Sequence, residues 1–117
     1  MHSVQQIQAS QFSTEVLQSR QPVVVDFFAT WCPPCRAIAP VLENLAQGYQ
    51  GQVKFVKVDV EQAPELASRF RIQGVPTLMF FKDGAVIDQV VGAPPAPALQ
   101  ARVARMADPR QRVTATA

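Results

Sequence analysis

Along the chain the apolar residues switch repeatedly between the alternating spacing of strands and the one-sided spacing of helices, which predicts both kinds of element in turn. Residues 4–8 are a short, weak strand candidate, and Phe12, Val16 and Leu17 then recur at helical spacing with Ser10 as N-cap. Val23-Val24-Val25-Asp26-Phe27-Phe28 is a nearly continuous apolar run, as expected of a strand covered on both faces. Pro33-Pro34 fits only where a helix begins, because neither residue can donate an amide hydrogen. Beyond it Ile38, Val41, Leu42, Leu45 and Ala46 share one helical face, ending at Gly48. Pro40 interrupts that helix and predicts a kink, since it deletes the bond to the Arg36 carbonyl.

Residues 53–60 read as a second buried strand, interrupted by Lys54 and Lys57. Ala63, Leu66, Ala67 and Phe70 form a short helical stripe opened by Pro64. Residues 77–81 and 86–91 are strands joined through Lys82-Asp83-Gly84, an Asp-Gly hairpin signal. Pro94, Pro95 and Pro97 precede a last helix with Leu99, Val103 and Met106 on one face. The resulting order, βαβαβαββα, predicts an α/β domain with a mixed sheet, parallel where helices intervene and antiparallel at the hairpin. No repeat or linker divides it: residues 1–108 read as a single domain and 109–117 as a flexible tail.

Composition narrows the function. Of the 117 residues 48% are apolar and 17% charged, enough to build a core and to exclude wholesale disorder. The apolar stretch 22–29 falls far short of the roughly 20 residues of a membrane span. The first residues carry neither a basic segment nor an apolar h-region, so the expectation is a cytoplasmic protein without a membrane partner. Eleven basic against nine acidic residues leave a net charge of +2, too little for a stripe that tracks nucleic acid.

Cys32 and Cys35 are the only cysteines and His2 the only histidine. A bridge across two residues restrains almost nothing in the unfolded chain, which argues against a purely structural disulfide. A zinc site generally needs four ligands, and this chain offers two thiolates and a distant histidine; sharing between two copies is the remaining metal reading. The reading that placement favours is a redox-active dithiol. The pair follows a buried strand and opens a helix, so Cys32 lies where unpaired amides and the helix dipole favour a thiolate. Cys32 is then the nucleophile and Cys35, one turn in, the resolving thiol; two reduced cysteines packed as small hydrophobes are the alternative.

Asp26 is the second anomaly, a carboxylate within an apolar strand six residues before Cys32. Burial raises such a group's pKa and makes it a proton carrier near neutrality, here for Cys35. The competing reading is a buried aspartate satisfied by Lys57, and a lysine partner would equally tune the same carboxylate. Lesser features have plainer readings. His2 is taken as a solvated terminal residue, Phe70 as core between two solvent-facing arginines, and Lys57 and Asp59 as a surface pair at a strand end.

From Ser10 to Met106 the chain resembles thioredoxin, and looks bacterial in type. The likeness rests on Val25-Asp26-Phe27-Phe28-Ala29-Thr30-Trp31-Cys32-Pro33-Pro34-Cys35-Arg36, on Lys57-Val58-Asp59, on Gly74-Val75-Pro76-Thr77-Leu78 and on Val91-Gly92-Ala93. It implies the thioredoxin fold, a central mixed β-sheet flanked by helices, with the dithiol protruding at the start of a helix. It implies a cis Val75-Pro76 bond beside the dithiol. It also implies an apolar groove of Trp31, Val60, Gly74, Val75, Pro76, Gly92 and Ala93 for segments around a target disulfide. The implied activity is reduction of protein disulfides by a monomer that binds no cofactor of its own and is restored by a flavoprotein reductase using NADPH. Two departures stand out: Pro33-Pro34 replaces the usual Gly-Pro in the active-site turn, as in tryparedoxins, and Phe28 replaces a frequent tryptophan. A more oxidising disulfide oxidase or isomerase, and a non-enzymatic partner-binding module, are the alternative functions.

Overall fold

The computed structural model describes residues 3–110. A five-stranded sheet runs through the centre in the order β1-β3-β2-β4-β5. Its strands are β1 (Gln5–Gln6), β2 (Val23–Phe28), β3 (Lys54–Asp59), β4 (Thr77–Lys82) and β5 (Ala85–Val91). The helices are α1 (Pro33–Gly48), α2 (Pro64–Arg69) and α3 (Ala96–Ala107). β2 pairs parallel with β3 and antiparallel with β4, so it lies mid-sheet with neighbours on both edges.

Strand alternation sorts the apolar residues into two cores. On one face Val24, Phe55, Leu78 and Phe80 pack against Ile38, Leu42 and Ala46 of α1 and Leu99, Val103 and Met106 of α3. On the other, Val23, Val25, Phe27, Val56, Val58, Met79 and Phe81 pack against Phe12, Val16 and Leu66. Phe70 joins Phe12, Phe27 and Phe81 in an aromatic cluster with centroids 5.2 to 6.0 Å apart, while Arg69 lies over its outer side.

Several local expectations need correction. The first helix is replaced by a 3₁₀ turn (Ala9–Gln11) and a π-helical turn (Ser13–Leu17). The N-cap is Gln8 and not Ser10, because Gln8 and Gln11 cap one another reciprocally. β1 is two residues long, held where Glu43 of α1 accepts the amides of Ser3 and Val4. An intervening helix does not make β4 parallel: α2 carries the chain over β3 and β2, and β4 enters antiparallel beside β2. α1 spans Pro33–Gly48 with Pro40 inside it as expected, at an exposed position. Asp83 and Gly84 both take positive φ, the backbone an Asp-Gly hairpin turn requires. The expectations for His2 and for residues 111–117 of the tail lie outside the described residues.

Candidate active site

The site forms where β2 ends and α1 begins. Cys32 is the N-cap of α1, Pro33 and Pro34 fill its first two helical positions, and Cys35 is the third. The two prolines leave the helix start without two of its usual donors. The Cys35 amide is the one that reaches the Cys32 sulfur, donating to Sγ at 3.1 Å. Cys32 and Cys35 are joined in a disulfide, so the structure is that of the oxidised protein.

The pair does not protrude as the resemblance implied. Cys32 is 2% exposed and Cys35 4%, packed with Ala29 and against Phe28, Val60 and Val75. The N-cap position turns the Cys32 side chain inward over the helix end, against the loop before β4. Access is through a groove of about 560 Å³ on whose wall Cys32 lies. An attacking sulfur needs approach along one line only, and a groove suffices for that.

The groove brings together Trp31, Cys32, Pro33, Pro34, Val60, Gly74 and Val75. Val75-Pro76 is cis, as the resemblance implied, and the Val75 carbonyl oxygen lies 3.6 Å from Cys32 Sγ. That loop is held at both ends: the Thr77 hydroxyl donates to the Gly74 carbonyl at 2.6 Å, and the Gly92 amide to the Pro76 carbonyl at 2.7 Å. Pro76 is buried, Gly92 touches the loop through its backbone, and Ala93 is exposed; these three do not line the groove. Residues not anticipated complete the lining, namely Pro64, Ala67, Ile72 and Gln73. Glu61, also not anticipated, is not itself part of the lining but bears on it: its carboxylate accepts the Trp31 indole hydrogen at 3.1 Å and so orients a ring that is 62% exposed. The signal for Glu61 was present in the Asp59-Val60-Glu61 run. Asp59 is buried instead of forming a surface pair with Lys57, and its Oδ1 accepts the Glu61 amide at 2.9 Å, which aims that segment at the groove.

Asp26 is 4% exposed, and its Oδ1 is buried without a hydrogen-bond partner among the described residues. It pairs in register with Lys57 of β3 on one side and Leu78 of β4 on the other. Desolvation pushes its pKa from the ordinary 3.8 up to about 7, against the smaller opposing pull of the Lys57 charge. The same strand face carries Val24 into the core under α1, so Asp26 lies on the side of the sheet from which the dithiol helix rises. The arrangement combines a sulfur pair at a helix start, a neutral-range carboxyl group behind it and an apolar groove in front, the parts needed for thiol–disulfide exchange with proton transfer.

The comparisons with known proteins point to one family. The family model described as Thioredoxin matches residues 3–105. Thioredoxin 1 of a Nostoc species is 50% identical over 95 residues, covering 81% of this chain and 89% of its own. Thioredoxin 1 of Synechococcus elongatus is 55% identical over 84 residues, 72% of this chain and 78% of its own. Thioredoxin C-2 of Corynebacterium nephridii is 52% identical over the same length, with the same coverage.

Proposed function

The chain belongs to the thioredoxin family and is a thiol–disulfide oxidoreductase acting through Cys32 and Cys35; from that premise we propose that it works as a reductase of protein disulfides. The observation that carries the reading is the placing of Cys32 at the N-cap of α1, its sulfur bonded by the Cys35 amide and opening onto the groove.

In the reduced protein the Cys32 thiolate attacks one sulfur of a target disulfide. The target S–S bond breaks, one target thiolate leaves, and Cys32 is held in a mixed disulfide. The Cys35 thiol passes its proton to the Asp26 carboxylate, and the resulting thiolate attacks Cys32 Sγ. The mixed disulfide breaks, and the second target sulfur leaves as a thiolate that takes up a proton. Two electrons have then moved from the dithiol to the target; the single proton that the dithiol held has passed from Cys35 to Asp26, and the two target thiolates are protonated from Asp26 and from solvent. Lys57 tunes the Asp26 carboxylate by its charge. Trp31, Val60, Gly74 and Val75, with Pro76, Gly92 and Ala93 beside them, receive the backbone around the target cysteine.

We further propose a bacterial-type thioredoxin carrying the Pro33-Pro34 variant, working as a monomer in the cytoplasm and recharged by an NADPH-dependent flavoprotein. Among the described residues no helix is long and apolar enough to cross a membrane. Reduction of insulin by dithiothreitol tests the core of the reading: Cys32→Ser is expected to lose the acceleration entirely, and a fully active variant overturns it. Equilibration with glutathione tests the direction of transfer. A reductase settles near the thioredoxin value of about −270 mV, whereas a dedicated oxidant lies near about −120 mV.

A further inference from the structure

Asp26, Phe28, Lys57 and Asp59 share one face of the sheet. Alternation along β2 puts Asp26 and Phe28 on the same side as core residue Val24, and alternation along β3 puts Lys57 and Asp59 on the side of Phe55. The parallel register sets Asp26 against Lys57 and Phe28 against Asp59, so the Lys57 side chain has the carboxyl group directly across and the aromatic ring diagonally beside it. Its ammonium takes the ring: Lys57 Nζ lies over Phe28, 5.4 Å from the centroid. The ion pairs Lys54–Glu15, Arg102–Asp88 and Arg110–Asp108 leave Asp26 out, and among the described residues no cation closes a pair on it.

We propose that Phe28 is a positioning residue for the proton carrier: its ring face holds the Lys57 ammonium and keeps that cation from closing an ion pair on Asp26. The proposal rests on the reading of Asp26 as the group that exchanges a proton with Cys35. A lysine stem is long and flexible, and a buried carboxylate without a partner would ordinarily draw its ammonium in. A closed pair would hold Asp26 ionised and unable to return a proton. The face of an aromatic ring offers the cation a competing site with no proton of its own to lose. The other groups around Asp26 do not substitute for the ring. Leu78 on β4 is apolar, α1 and α3 bring Ile38, Leu42, Leu99 and Val103 to this face of the sheet, Cys35 is tied to Cys32, and Asp59, whose Oδ1 accepts the Glu61 amide, is in none of the ion pairs named above. The elevated pKa of Asp26 accords with a lysine charge that is near but not bonded.

The test is a carbon-13 NMR titration of the Asp26 carboxyl group in the full chain, as wild type, Phe28→Leu, Phe28→Trp, Lys57→Met and the Phe28→Leu/Lys57→Met pair. Phe28→Leu is expected to lower the Asp26 midpoint by about half a pH unit, the size of one cation–π contact, and Phe28→Trp to hold or raise it. In the Lys57→Met background Phe28→Leu is expected to move nothing. An unmoved midpoint in Phe28→Leu overturns the proposal, as does an equal drop with and without Lys57, which would mean that the ring only excludes water. If Phe28→Leu does not fold, Phe28→Trp decides alone, and a midpoint below wild type overturns it. The underlying reading is tested separately by the pH profile of mixed-disulfide resolution in Asp26→Asn. A profile identical to wild type removes Asp26 from the proton transfer without touching the outcome of the titration.

Discussion

Burial of the Asp26 carboxyl group favours its neutral acid, and this ties stability to pH in a definite direction. Its pKa is 3.8 when solvated and about 7 in the fold. Between those values the unfolded chain gives up the proton while the folded one keeps it, so stability falls as pH rises through that window and levels off above it. The gap corresponds to about 4 kcal/mol. Asp26→Asn, which cannot ionise, is therefore expected to be more stable than wild type at pH 8 by up to about that amount, with the difference shrinking toward pH 4; urea unfolding at the two pH values measures it. The Cys32–Cys35 pair and the burial of Asp26 were legible in the sequence because each puts a reactive side chain in an unusual local setting. Pro64, Ala67, Ile72 and Gln73 were not, because ordinary residues become groove walls only when α2 and the loop before β4 come together in space.

The start of α1 is where helix physics and chemistry meet. Pro33 lends the first turn its pre-set φ but withholds an amide from a helix end that otherwise attracts negative charge. Pro33→Gly is expected to lower the Cys32 thiol titration, followed through Trp31 fluorescence, and to destabilise the reduced protein by about 1 kcal/mol in urea unfolding. The long amphipathic α1, the hairpin and α3 could be read directly, since strong periodicity and turn chemistry act locally. The segment before β2 misled because its apolar residues fit a helix, yet tight and wide turns with a reciprocal glutamine cap place Phe12 and Val16 in the core equally well. The direction of β4 was hidden for a different reason: local spacing reports that a helix intervenes, not which edge the next strand joins.

The two cores divide the labour of the molecule. Residues from α1 and α3 pack on the face that carries Asp26, whereas the aromatic cluster of Phe12, Phe27, Phe70 and Phe81 fills the opposite face. Phe12→Ala is therefore expected to lower stability by about 3 to 5 kcal/mol while leaving the rate of insulin reduction nearly unchanged at temperatures where the variant is folded. Thermal unfolding and the reduction assay on one sample separate the two effects. β2 belongs to both cores and is bonded along both edges. A strand so clamped has no freedom to follow the sulfurs as they join and part, so electron exchange must proceed on a stationary support, with the rearrangement confined to side chains and the turn. The backbone amides of β2 should accordingly be among the slowest in the molecule to trade hydrogen for deuterium, and equally slow before and after the sulfurs are reduced.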